Sequence, residues 1–409
     1  MRLPRSLRAV ALACACVASA GAGAGSALPD PIPLDSSAVA VGAHGTRYLV
    51  APGAVAGWVG GTRATDAAEA RAQAAWLADG TLPGPPEYAD LARTALLDLR
   101  ALTVAGVPVA GWSPPWRYVW PRDAAFAAAA LARTGHVADA EAILGFLQRV
   151  QGADGSFHAR YRADADGPPD GRGLQEDGPA WALWALAEVA DVRPAAVTTF
   201  NALRDRSAAR LVARAGLPPP SSDYWERPER RLTLGIAAPA LAGLDAAAFL
   251  YDLAGDEARA AVVGAAAERT AAAVETAFGP RYPRYAGTRD RDAAVAFLLP
   301  PVQRRDVRGA VAALHATARA LRAPGGGLSP GEAWRDDGVS WTPETALFAL
   351  AAAATGDTGA ARHRLDWLAA HRTADGAIPE KVLADGSPAA VAPLAWSDAL
   401  VVLALVALG

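Results

Sequence analysis

The chain has 409 residues, 52% of them hydrophobic and 20% charged, with a formal net charge of −3. Alanine dominates the apolar share and is the best helix former, so the composition predicts a mostly helical protein with one large core. The absence of a basic field excludes a charge-driven nucleic-acid binder.

The N-terminus reads as an export signal over residues 1–27. Arg2, Arg5 and Arg8 precede the apolar run "AVALACACVASA", and Ala18-Ser19-Ala20 or Gly25-Ser26-Ala27 offers a cleavage site. Cleavage after Ala27 removes three arginines and no acid, which moves the net charge from −3 to −6. The expected product is secreted, with a lipid anchor on Cys14 or Cys16 as the alternative. Both cysteines lie in this segment, so a mature chain has no thiol for a disulfide or a zinc site. The apolar run is short for a bilayer, and no later stretch reads as both long and charge-free enough to span one.

Residues 28–62, rich in Pro, Gly and β-branched types, predict a short extended segment. Residues 63–409 predict one helical domain in which alanine-rich stretches alternate with Gly, Pro and Asp loops. Shifted by 221 residues, the chain aligns with itself without a gap: Thr134-Gly135 falls on Thr355-Gly356, Leu144 and Leu147 on Leu365 and Leu368, and Asp154-Gly155 on Asp375-Gly376. Trp120 falls on Trp341 and Asp177 on Asp398. Each unit is a helical hairpin: a glycine ends the first helix, and the second shows an i, i+3, i+4, i+7 apolar face at Ala140, Ile143, Leu144 and Leu147. About twelve such helices are expected. An open solenoid needs polar end caps, whereas this chain ends "ALVVLALVALG", which suits a buried inner helix. The expected fold is all-α, a closed (α/α)6 toroid of helical hairpins with a short extended N-terminal segment.

In such a ring the loops that open inner helices converge on one rim. Here they are "YVWPRD", "GRGLQEDG", "SDYWERPE", "VSWTPET" and "AIPEKVLADGSPAAVAPLAWSD", and they hold much of the aromatic and acidic material. Tryptophan faces stack on sugar C–H surfaces and carboxylates accept hydroxyl hydrogen bonds, so this rim suits a carbohydrate. An acid-rich rim repels uronates, which argues against a lyase.

With these motifs in that order, the chain from about Leu91 onward resembles the glucoamylase family of glycoside hydrolases (family 15). "YVWPRD" looks like the family's Arg-Asp substrate clamp, "LQEDGPAWALWAL" is similar to its Gln-x-Asp-Gly loop, and "YWE" looks like its Trp-Glu. "GAIPEKVLADGSPAAVAPLAWSDALVVLAL" resembles the segment that carries the general base. The resemblance implies exo-hydrolysis of α-glucosidic bonds with inversion, on an oligosaccharide or another α-glucoside. Glu226 would be the acid and Glu380 the base, with Arg122, Asp123, Trp120, Gln175, Asp177, Trp225 and Trp396 binding substrate. An inverting pair needs one protonated carboxyl and one ionised carboxylate that activates water. Glu380 falls on Ala159 in the repeat, so hairpin packing does not require an acid there.

Two departures stand out. Arg227 follows Glu226 where the family commonly has a second acid, and "GLSPGEAW", around Leu328, lacks the family's Arg-Tyr-Pro. They keep open a second expectation, a toroid that binds glycans or a partner without hydrolysis. Plain structural readings also remain open. Arg122–Asp123 could be a helix-end charge pair, each Trp a core residue, Glu226 and Glu380 members of solvated charge runs, and Asp177 a helix cap. "DADGPPD" (164–170) has its glycine too early for a calcium loop. His44, His136, His158, His315, His363 and His371 share no ligand spacing, and no glycine-rich nucleotide loop follows a strand, so neither metal nor cofactor is expected.

Overall fold

The computed structural model describes residues 32–409; the expected export signal and both cysteines lie outside them. Residues 33–62 form an extended strap. Its hairpin, β1 (Ala38–Val41) and β2 (Arg47–Val50), pairs in antiparallel register from Ala38 opposite Val50 to Val41 opposite Arg47. Two helices follow, the largely exposed α1 (Ala67–Ala78) and the amphipathic α2 (Ala89–Leu102), and then a short ladder of β3 (Thr103–Val104) and β4 (Val107–Pro108).

The repeat read from the sequence appears next. Helices α3 (Pro121–Arg133) and α4 (Val137–Val150) form one hairpin. Strands β5 (Phe157–His158) and β6 (Leu174–Gln175) lead into α5 (Gly178–Val192), the single turn α6 (Ala196–Thr199) and α7 (Asn201–Ala213). Then come α8 (Leu234–Leu253) with α9 (Glu257–Phe278), and a 3-10 segment, Ala293–Leu298, with α10 (Ala310–Ala320). After β7 (Ser340–Trp341), α11 (Thr342–Ala354) pairs with α12 (Thr358–Ala370). Strands β8 (Lys381–Val382) and β9 (Pro388–Ala389) complete a three-stranded sheet with β7 before the final helix, α13 (Ala395–Leu408).

Six inner elements close a ring. α3 packs on α5, α5 on α8, α8 on the 3-10 segment, that segment on α11, α11 on α13, and α13 back on α3. Each has an outer partner: α4, α7, α9, α10, α12 and, for α13, the N-terminal α2. The expected (α/α)6 toroid is therefore the observed fold, with its last hairpin assembled from opposite ends of the sequence. The inner helices are predominantly apolar and buried on nearly every side; α3 buries every residue from Pro121 to Ala132, Arg122 and Asp123 included. Alanines there let helix axes approach closely. Outer helices bury one stripe, and in α4 it includes Ala140, Ile143, Leu144 and Leu147, the face read from the spacing. Gly135 and Gly356 turn the matching corners at φ 90° and 83°, where a side chain would be strained.

One inner element departs from the expectation of a helix. The fourth is only the 3-10 segment, because Pro300-Pro301 follow within two residues and cannot extend it. A second difference concerns α8. By length and composition it could cross a membrane, yet it is an inner helix of the ring and most of it is buried.

The strap is bolted to the ring. Asp35 donates its N–H to Ala390 O (2.8 Å), and Ser36 Oγ donates to Ala392 O (2.6 Å). Arg63 makes a two-pronged ion pair with Asp98 on α2, at 2.5 and 2.8 Å, and reaches Asp375 O at 2.7 Å. Asp164, Asp166 and Asp170 of "DADGPPD" each pair with an arginine, and among the described residues no His, Cys, Asp or Glu cluster is arranged to hold a metal.

Candidate active site

A cavity of about 360 Å³ opens at the N-terminal ends of α3, α11 and α13 and beside the loop that enters α8. Trp120, Arg122, Asp123, Trp225, Glu226, Glu380 and Trp396, all singled out from the sequence, line it. Gln175 and Asp177 do not line it, but both stand close to residues that do.

Pro121 starts α3 with a fixed φ and no N–H to satisfy, so the two residues after it are presented from a rigid first turn. Arg122 is 6% exposed and Asp123 5%. Arg122 Nη2 bonds Asp123 Oδ2 at 2.9 Å, and its guanidinium lies 4.4 Å from the Trp396 ring centre. A simple helix-end charge pair would be solvated. Here Nε and Nη1 of Arg122 are buried without a hydrogen-bond partner among the described residues. Buried unpaired donors are costly, and these line a cavity that a polar ligand can fill. Burial raises the Asp123 pKa, and Arg122 opposes the rise.

Glu226 sits on a strained turn. Its φ is +54°, a left-handed conformation that few non-glycine residues adopt, and its N–H bonds Asp223 O at 2.8 Å. Such strain persists only where the surroundings over-determine it, and the surroundings here are dense. The Trp225 ring lies on the guanidinium of Arg284, 3.4 Å from its centre, and meets Trp334 edge-on. Gly331 approaches so closely that a Cβ there would sit 2.7 Å from the Trp225 ring. Arg284, with no exposure, pairs with Asp223 (3.1 Å), Asp292 (3.0 Å) and Glu229 (2.6 Å). The Tyr224 hydroxyl donates to Asp292 Oδ1 at 2.6 Å. The Glu226 side chain is about a quarter exposed, at 24%. Its Oε1 accepts from Gln175 Nε2 and its Oε2 from Arg172 Nη1, both at 3.1 Å; Arg122 Nη1 lies 3.5 Å from Oε1.

Glu380 is mounted on sheet. Its N–H bonds Val391 O at 2.8 Å and its carbonyl takes the Thr342 N–H at 3.1 Å, immediately before β8. Trp116 Nε1 donates to Oε1 at 3.4 Å, and Nζ of Lys381, the only lysine in the sequence, lies 3.2 Å from Oε2. Burial raises the Glu380 pKa, while Lys381 and Trp116 pull it back.

The sequence reading missed Glu344 and Arg284. Glu344 stands in the first turn of α11, inside the quoted rim loop "VSWTPET", and lines the cavity. Asp292, the partner of Arg284, had a visible signal. "RDAAVAFL" (291–298) echoes "RDAAFAAAAL" (122–131), so Asp292 opens the fourth inner element much as Asp123 opens the first. The two departures are also placed. Arg227 is exposed, 5.3 Å from the Trp334 ring centre, with no carboxylate partner among the described residues. Leu328 is buried and backbone-paired to Trp341, so it brings no cation to the rim.

Asp177 precedes α5 but makes no capping hydrogen bond; its Oδ2 accepts from Trp181 Nε1 at 2.9 Å. Burial pushes its pKa to about 7, against the pull of Arg122. From pH about 4 to about 7 the folded state therefore holds a proton that the unfolded state has lost. Stability falls as pH rises through that window, by about 4 kcal/mol at most for a shift of about three units. Asp177→Asn keeps an acceptor for Trp181 and removes the titration. Its melting temperature is expected to fall less between pH 5 and pH 8 than the wild type's; equal falls would refute the assignment.

No protein-family model matches the chain, and no curated protein sequence matches it. Solved structures do. A glutamate-to-alanine glycosidase variant in complex with glucose is 22% identical with a TM-score of 0.67, over 77% of this chain and 95% of that one. A bacterial glucoamylase complexed with acarbose is 17% identical with a TM-score of 0.67, over 82% of this chain and 57% of that one. A glycoside hydrolase family 15 glucoamylase from Hypocrea jecorina is 16% identical with a TM-score of 0.60, over 76% and 68%. The chain thus has the glucoamylase-like toroid fold.

Proposed function

We propose that this protein is an exported, inverting glycoside hydrolase that releases glucose from the end of an α-glucoside. The observation that carries the reading is the convergence of Glu226 and Glu380, from well-separated hairpins, on one cavity that also holds the unpaired donors of Arg122. Two of the similar structures are complexes, one with glucose and one with acarbose, which agrees with a sugar in this place.

In this mechanism Arg122 and Asp123 hold sugar hydroxyls through charge-assisted hydrogen bonds, and the tryptophans supply apolar faces. Glu226, in its protonated form, gives its proton to the glycosidic oxygen as the bond from C1 breaks. Glu380, ionised, takes a proton from the water that attacks C1 from the opposite side. One displacement turns an α-glucoside into β-glucose. Export rests on the signal read in residues 1–27.

A second reading has its own observation. Glu226 already accepts from Arg172 and Gln175, and an acid must give up such partners to act as a proton donor. If it does not, the cavity binds sugar without turnover.

One experiment separates the outcomes. Maltose, isomaltose and trehalose are each incubated with the protein and followed by proton NMR before mutarotation mixes the anomers. Initial β-glucose is the expected result. Initial α-glucose would mean a covalent intermediate and would end the Glu226–Glu380 assignment. Glucose binding with no release from any substrate would favour the binding-only reading.

A further inference from the structure

Glu344 is the one cavity-lining carboxyl without a counter-charge. Asp123 pairs with Arg122, Glu226 with Arg172 and Glu380 with Lys381; the remaining lining cation, Arg160, pairs with Asp170. Glu344 is 3% exposed, makes no ion pair, and its Oε2 is buried without a hydrogen-bond partner among the described residues. Pro343 ahead of it fixes the first turn of α11, so the side chain cannot withdraw by unwinding the helix cheaply.

The groups around it do not favour an anion. From the loop before β8, Glu380 adds negative charge; ahead of the fourth inner element, Asp292 adds more; the backbone N–H of Glu344 itself and, from α3, Arg122 oppose them but do not outweigh burial. From α13, the Trp396 indole shares the cavity, while Asp398 makes no ion pair and both its carboxyl oxygens are buried without a hydrogen-bond partner among the described residues; ahead of α8, the Tyr224 phenol also faces Glu344 and is itself held neutral by burial. The loop before α8 contributes Glu226, itself held by hydrogen bonds from Arg172 and Gln175, with Arg122 near it but beyond hydrogen-bonding geometry. An ionised carboxylate here would be buried, unpaired and facing other acids, an arrangement that proteins avoid by keeping the proton.

We propose that Glu344 contacts the bound sugar as a neutral acid, donating its O–H to a sugar oxygen, and so helps determine which ligand the cavity accepts. The proposal deepens the sugar reading of this cavity and does not require turnover. A protonated carboxyl is both donor and acceptor, so it can engage a hydroxyl in either sense. Burial first, and then Glu380, push the Glu344 pKa to about 8. The proton is held below that pH and lost above it, so ligand affinity that depends on the proton falls as pH rises past about 8.

The test is direct binding of D-glucose by calorimetry from pH 5.5 to 9.5, with circular dichroism melts of every variant at the same pH. The wild type is expected to lose affinity above about pH 8. Glu344→Gln keeps an N–H donor and cannot ionise; it should bind within about threefold of wild type at pH 7 and keep that affinity at pH 9. Glu344→Ala should bind about tenfold more weakly at pH 7, the loss of one good hydrogen bond. Any decline near pH 7 that belongs to Asp177 should persist in all three proteins. An alkaline fall that survives in Glu344→Gln, or wild-type affinity in folded Glu344→Ala, would overturn the proposal. Failure of the wild type to bind glucose at any pH would also overturn it. Glucose release is read separately: hydrolysis with an unchanged pH profile in Glu344→Gln sinks this proposal and leaves the hydrolase. Glu344-dependent binding without hydrolysis does the reverse.

Discussion

Glu226→Gln and Glu380→Gln are each expected to fold normally and to lower turnover by about 10²–10⁴-fold, the contribution of one general acid or base. Folding survives because neither carboxylate is what holds its own backbone. The Glu226 turn rests on Asp223 and on the Trp225–Arg284 stack, and Glu380 hangs from sheet hydrogen bonds. The two losses should differ in kind. A glucoside with a very good leaving group needs little protonation, so it should restore much of the rate to Glu226→Gln. Water activation is still required, so Glu380→Gln should stay slow on the same substrate. Comparing kcat on maltose and on an activated α-glucoside decides the point; equal rescue of both variants would mean that the roles are misassigned.

Arg284→Met should be the most damaging change away from the cavity. Asp223 and Asp292 have no exposed side-chain surface and share this one guanidinium. Removing one partner of a buried ion pair typically costs about 3–5 kcal/mol, because the remaining charge is stranded. Trp225 would lose the face it rests on, and with it the turn that holds Glu226 at positive φ. Loss of folding alone would not separate support from function, so Arg284→Lys is the companion variant. It keeps the charge but cannot form the planar fork. It should fold with a lowered melting temperature, and kcat should fall more than KM rises. A wild-type melt for Arg284→Met would show that the cluster does not hold this loop.

The hairpin ring was legible because its signals are local and repeated: glycine corners, a stripe of small apolar residues, and a second copy 221 residues on. The cavity residues were legible where they share a short motif, as Arg122 does with Asp123 and Glu380 with Lys381. Glu344 was not, because what sets it apart is the lack of a paired cation, and the groups around it come from segments far apart in the sequence. Arg284 was hidden for a related reason. Asp223 lies 61 residues before it, and nothing local distinguishes a fully buried arginine from the exposed ones around it. Asp177 fell on the repeat correctly, yet its side chain turned to Trp181 and not to the cavity, a choice of rotamer that no spacing records. The fourth inner element was shortened by two consecutive prolines that the helical pattern overlooked.

The last wall of the ring belongs to α13, which stands between α11 and α3 and takes α2 as its outer neighbour. During synthesis, the nascent chain therefore carries an open barrel with three apolar faces waiting for one missing stave. Contacts between segments some 300 residues apart must form before the structure locks, a high-contact-order step that is intrinsically slow. Glu380 lies upstream of that stave, just before β8, and the segment that leads from β9 into α13 takes its N–H through Val391 O. Completion of the cavity and closure of the ring are thus coupled: a chain arrested before α13 lacks both the last wall of its core and the Trp396 face of the cavity, and under the proposed function, activity recovered during refolding should track the docking of that helix.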